Sequence, residues 1–285
     1  MNHQQFEKTV QIYEEAMRLR DGLEFARALA LFEEARSAFA ELEVNDAFKM
    51  AFLYDVALAY DLHGERLKAH ALFREVLRIY EQMAEIDWHN PALSNFGGLI
   101  WGVKDYLSLW ETASPDEDNY LGSIKIRRWA QADMPLKVFV NSRTAIGFDT
   151  ALQQDVFAAF KMWSDCGANL SCVSTDTAEG AEIIVSRVSD GLGSAGGHTA
   201  FDESTGSNGE LRLKQARIRI SLATHQAKDL DSAEHRAFKS LALHEAGHAL
   251  GLDGHSPHAT DLMYWKSPLL HLSERDINTL KAVYS

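Results

Sequence analysis

Cysteine is scarce: the 285 residues hold two, Cys166 and Cys172. Two cysteines make no disulfide framework, and in a reducing compartment they remain free thiols. Proline is nearly as rare, at five, which leaves long stretches open to uninterrupted helix. No apolar run approaches the roughly 20 residues of a membrane span, so no membrane partner is expected. The first residues, MNHQQFEKTVQIYEE, contain no basic region followed by an apolar one, and they already carry helical periodicity. A cytoplasmic location is therefore the expectation, with export by another route as the alternative. Positive charge is short as well. Lys and Arg number 28 against 41 Asp and Glu, a net charge of −13. The deficit is uneven: residues 1–120 hold 11 basic and 22 acidic side chains, and residues 121–285 hold 17 and 19. An acidic half repels phosphate, so no nucleic acid partner is expected. It suits a solvated helical surface or a basic protein partner.

What is present describes a globular chain, 46% hydrophobic and 24% charged, long enough for two domains. Its first part reads as amphipathic helices. Apolar residues recur at helical spacing through Phe6, Val10, Tyr13 and Met17, then after Gly22 through Phe25, Ala28, Leu29, Phe32 and Ala35. A third helix carries Phe52, Leu53, Val56, Ala57 and Tyr60, and a fourth, after Gly64, carries Leu67, Ala69, Phe73, Val76 and Leu77. A fifth is expected from Pro91 to Trp110, in a stretch with Trp88, Phe96, Trp101 and Tyr106. Phe25-x-x-Ala28-x-x-x-Phe32-x-x-Ala35 recurs, less strictly, as Arg66-x-x-Ala69-x-x-x-Phe73-x-x-Val76, each copy following a glycine. The pattern resembles the second helix of a tetratricopeptide repeat, and such helix pairs stack into a curved surface that binds peptides. A plain helical bundle is the alternative.

The acidic, helix-breaking stretch from Thr112 to Ser123 marks a boundary. The expected domains are residues 1–112, a linker at 113–124, and residues 125–285. In the second domain Pro135–Val140, Ala181–Ser186 and Ala216–Ser221 read as strands, Phe148–Trp163 as a helix, and Ser273–Val283 as a final helix with Ser273 as N-cap and Asp276 at its third position. Mixed strands and helices behind an all-helical domain make the fold class α+β. Gly191-x-Gly193-x-x-Gly196 matches a dinucleotide fingerprint in form only, because no helix-forming sequence follows it.

The stretch that carries chemistry is HEAGHALGLDGHS, His244 to Ser256. On a helix, residues i and i+4 share a face, so His244 and His248 can turn two imidazoles toward one metal ion. Glu245 then lies beside the first of them. Catalytic zinc takes three protein ligands and keeps one position open. Gly251 lets the chain leave the helix and double back. The third ligand must come from beyond it: His255 is the first candidate, with Asp253 and His258 as the alternatives.

The segment resembles the metzincin metallopeptidases and, among them, the matrixins, whose pattern is HExxHxxGxxH followed by a turn bearing methionine. His244, Glu245, His248, Gly251 and Met263 of DLMY fall on that pattern, while the family position for the third histidine is Gly254 and His255 stands one residue later. The resemblance implies a twisted sheet, an active-site helix, a Met-turn and a C-terminal helix. It implies one catalytic Zn2+ on His244, His248 and His255, Glu245 as general base, and Met263 as a structural floor. It implies peptide bonds as substrate, with Tyr264 and the strand His198–Phe201 lining the substrate groove through Tyr264, His198 and Phe201. The activity implied is that of a zinc metalloendopeptidase whose helical domain recruits substrate or a regulator. The alternative is a non-catalytic interaction module with a structural zinc, and a helical half that inhibits the peptidase is a third reading. Ser256 and Asp261 are candidates for hydrogen bonds that support the turn.

Overall fold

The computed structural model describes residues 3–42, 44–87, 89, 91–112, 118–141, 149–188, 196–206, 209–221 and 232–285. The chain divides into two compact units, Met1–Glu111 and Thr112–Ser285. Among the described residues no helix is long and apolar enough to cross a membrane.

The first unit is all helix: α1 (His3–Asp21), α2 (Phe25–Phe39), α3 (Asp46–Leu62), α4 (Arg66–Ile86) and α5 (Pro91–Thr112). The repeated sequence positions are the buried ones. Ala28, Phe32 and Ala35 of α2 and Ala69, Phe73 and Val76 of α4 are all fully buried. The alanines among them, Ala28, Ala35 and Ala69, leave room for α1 to close on α2 and α3 on α4. Both pairs turn with the same hydrogen bonds: Glu24 N–H to Leu19 O at 2.8 Å, and Glu65 N–H to Tyr60 O at 2.8 Å. This is the six-to-one closure that needs a left-handed residue after the helix. Gly64 fills that place in the second pair, at φ +91°, but Leu23 fills it in the first, at φ +65°. Gly22 therefore ends the helical run one residue before the strained position. Trp88 and residues 113–117 of the expected linker lie outside the described residues.

In the second unit a five-stranded sheet has the order β3-β2-β4-β6-β5. Its strands are β2 (Leu136–Val140), β3 (Cys172–Thr175), β4 (Ile183–Val188), β5 (Gly197–Thr205) and β6 (Leu211–Ser221). All neighbours are parallel except β5, which runs antiparallel to β6 at one edge. Helices α6 (Thr150–Ser164) and α7 (Ala233–Ala249) supply the core against it. Phe148, expected at the start of α6, lies outside the described residues, and Asp149 caps the helix by accepting from Leu152 N–H at 2.9 Å. One sheet face is buried and the other wet, which gives β6 its alternation. Ala216, Ile218 and Ile220 are buried, whereas Arg217 and Arg219 are exposed. β6 begins five residues before the clean alternation does, because Leu211–Gln215 continues the pairing with β5 past a bulge at Asp202/Glu203.

A small second sheet pairs β1 (Ile124–Ile126) with β7 (Leu252–Gly254), antiparallel, Ile124 opposite Gly254. Neither strand was legible in the sequence. Just before β1, Asp118 O accepts from Asn278 Nδ2 at 3.1 Å. Tyr120 is fully buried, its N–H reaching Thr279 Oγ1 and its hydroxyl donating to Asp276 Oδ1 at 2.8 Å. Thr279 and Asp276 belong to α8 (Glu274–Val283), which Ser273 and Asp276 open with a reciprocal capping box.

Tyr120→Phe removes a donor from a buried carboxylate without changing the packed shape. We expect it to lower stability by about 1–3 kcal/mol, measured as a lower urea midpoint at unchanged slope; an unchanged midpoint would contradict this role.

Candidate metal centre

Helix α7 carries His244 and His248 one turn apart, and their ring centroids lie 4.7 Å from each other. The helix ends cleanly because its last carbonyls have partners. Gly251 N–H donates to His248 O, Trp129 Nε1 to Ala249 O and the Tyr284 hydroxyl to Leu250 O. Gly251 then turns the chain at φ +111°, where a Cβ would overlap the carbonyl oxygen of Arg127. The chain runs back through β7 along β1 and turns again at Gly254, φ +137°, against the backbone of Ile124. Glycine at 254 is thus the residue that lets the strand end close on Ile124. The next residue, His255, is brought to the other two histidines, with centroids 5.3 Å from each.

Ligand nitrogens of His244, His248 and His255 all lie within 4.8 Å of one another. Among the described residues no other group of His, Cys, Asp or Glu has metal-ligand spacing. Asp253 is engaged elsewhere: Arg127 donates to its Oδ2 from Nε and from Nη2, at 2.9 and 2.8 Å. His258 is buried outside the group, its N–H on Ser256 Oγ at 3.1 Å.

The donor set fits a divalent metal such as zinc. His244 Nδ1 is 2.9 Å from Leu262 O, and His248 Nδ1 is 2.6 Å from Leu252 O. A carbonyl only accepts, so both Nδ1 atoms carry the proton and both Nε2 lone pairs are left for a metal. Burial pushes His244 well below the usual imidazole range, with the neighbouring His248 and His255 acting in the same direction. It pushes His248 down to about 4, again helped by His255. Both rings are therefore neutral at ordinary pH.

Glu245 is buried beside them, and burial raises its carboxyl to about 7, opposed by a hydrogen bond from Thr199. Thr199 on β5 donates to Glu245 Oε2 at 2.6 Å.

Below the histidines, Met263 is fully buried. It seats on Gly247, where a Cβ would overlap both its sulfur and the Trp163 ring. Trp163 Nε1 in turn donates to Leu243 O at 2.9 Å. Ser256 and Asp261 join at 2.6 Å, Ser256 N–H reaches Met263 O, and Arg275 closes on Asp261. Asp276 accepts from the N–H groups of Leu262 and Met263 at 2.8 and 3.2 Å. The sequence shows Asp276 as the third position of a capped helix; its hold on the turn joins residues 13 and 14 positions apart, a distance no local pattern reports.

The residues suggested for substrate are placed apart. Tyr264 is fully buried in the turn. Phe201 lies on β5 under the Arg127 guanidinium, 4.5 Å from its ring centroid. His198 is exposed on the opposite face of that strand, in register with Arg219, and contributes only the weakest influence on His248. His198 and Phe201 are three residues apart, so a strand cannot turn both to one side. Thr199, which does face Glu245, was missed, although the same alternation pairs it with Gly197 and Phe201. Gly191 and Gly193 lie outside the described residues.

Three clustered histidines, two of them on a helix under a mixed sheet beside a buried carboxylate, are the arrangement of a metallopeptidase. The matrixin family model (peptidase family M10) matches residues 128–285, more than half of the chain, and the chain belongs to the matrixin family. No curated protein matches it.

Zinc at about 100 times its dissociation constant should stabilise the protein by about 2.7 kcal/mol, seen as a rise in melting temperature. His255→Ala should abolish that rise, while Asp253→Asn should keep it. The reverse pattern would move the third ligand to Asp253.

Proposed function

We propose that the chain is a zinc-dependent endopeptidase, with His244, His248 and His255 as ligands, Glu245 as general base and Met263 as the floor of the site. The observation that carries this reading is the pair of Nδ1-to-carbonyl bonds, which leaves the Nε2 lone pairs of His244 and His248 for one cation, next to a buried carboxylate. Zinc, when bound, supplies Lewis acidity toward a water and a peptide carbonyl. The chain's own residues do the rest. Three imidazoles hold the ion without adding negative charge. Glu245 takes a proton at its carboxylate as the water attacks, then gives it to the departing amine. Its raised pKa suits that exchange, since a base titrating near neutrality both accepts and returns a proton.

The substrate would be an extended peptide or an unstructured protein segment. β5 is the edge strand beside Glu245 and, among the described residues, has a sheet neighbour on one side only, so peptide backbone could add to it. We further assign the helical residues 1–112 to recruitment of a substrate or regulator. The support is the repeat itself, whose two copies bury the same three positions. The peptidase domain would take its structural support from Asp118 onward, given the seating of Tyr120 on α8. Any shortened chain would need to keep that segment.

Glu245→Ala in the full chain should cut the rate on an unstructured protein such as casein by at least about 100-fold, with one zinc still bound per chain. Retained cleavage would refute the reading, and loss of zinc would make Glu245 a support of the metal instead.

A further inference from the structure

Glu245 has a seat that no part of the HExxH motif supplies. Two residues of β5 form it. Thr199 Oγ1 donates to Glu245 Oε2 at 2.6 Å and lies 3.4 Å from the carbonyl oxygen of the same residue. Gly197, two residues earlier, presents a bare Cα to the other side of the carboxylate. A Cβ at 197 would overlap Oε1, Cγ and Cδ of Glu245. Strand alternation puts both on one face, and their register partners on β6, Ile220 and Ile218, are buried in the core. The seat is thus built on the best-anchored strand pair of the sheet rather than on a loop.

The two carboxylate oxygens are not equivalent there. Oε2 has its donor in Thr199, whereas among the described residues no donor reaches Oε1. A glutamate side chain left to itself samples several rotamers, and fixing one of them costs conformational entropy. A short hydrogen bond on one oxygen and close contact with Gly197 at the other impose one rotamer before substrate arrives.

We propose that Thr199 is a positioning residue for peptide hydrolysis: its hydroxyl, with the space left by Gly197, orients the Glu245 carboxylate so that one oxygen is anchored and the other is free for the proton. The inference rests on Glu245 acting as the base. Because β5 is also the strand to which a substrate backbone could add, the same strand would align the base and the peptide bond.

Thr199→Val replaces the hydroxyl with a methyl of nearly equal size, and Thr199→Ser keeps the hydroxyl. With a fluorogenic peptide and the zinc-loaded full chain, Thr199→Val should lower kcat by about 10- to 100-fold with KM little changed. Thr199→Ser should restore most of it. Zinc affinity, read by chelator competition, should be the same in all three proteins. Glu245→Asp, whose shorter carboxylate no longer reaches the hydroxyl, provides the second arm. Adding Thr199→Val to it should cost little more, because both changes break one contact. A wild-type kcat in Thr199→Val, a Thr199→Ser variant as slow as the valine, a loss of zinc affinity, or a full-sized loss in the Glu245→Asp background would each overturn the inference. Cleavage that survives Glu245→Ala would instead remove the reading on which it rests.

Discussion

Two crowded imidazoles, His244 and His248, are held neutral, and much of the second unit is arranged to keep them so. Burial removes the water that would stabilise a protonated ring, and the neighbouring imidazoles penalise charge on His244 and on His248. Neutrality alone would leave the tautomer open. The carbonyls of Leu262 and Leu252 settle it for His244 and His248 by accepting from Nδ1. The site therefore depends on two backbone oxygens, which the side-chain pattern of the motif does not specify.

Each oxygen is held by a separate piece of architecture. Leu262 sits in the Met-turn, whose N–H groups end on Asp276 of α8, and Tyr120 caps that carboxylate from the other end of the unit. Leu252 opens β7, which is fixed by pairing with β1. The segment leading into the unit thus braces both histidines, through Tyr120 to His244 and through β1 to His248. The same β1–β7 pairing sets where His255 falls. Gly254 occupies the close approach to Ile124, and the histidine follows after the turn. The one-residue displacement from the family spacing falls at this close approach. Asp253, the competing ligand by sequence, is tied to Arg127, which also pairs with Glu203 of β5.

What the sequence revealed was local. The HExxH spacing, the glycine that ends α7, the amphipathic helices and the alternation of β6 depend on neighbours within a turn or a pleat, so they were legible. β1, β3 and β7 are three or four residues long, too short for a period to show. Tyr120 looked like linker because its partner lies 156 residues away. Leu23 takes the left-handed place that Gly22 seemed to advertise, since the closing hydrogen bond, not the glycine, fixes the position. On β5 the alternation separates His198 from Phe201 and puts Thr199 with Gly197 on the side of Glu245.

The proposed chemistry requires three histidines and an open position around one zinc ion. X-ray absorption at the zinc edge of the full-length protein reads that coordination sphere directly. Three imidazole nitrogens and one oxygen that azide or a hydroxamate displaces are the predicted result. Four protein ligands that no small molecule displaces would contradict it and would make the zinc a structural ion.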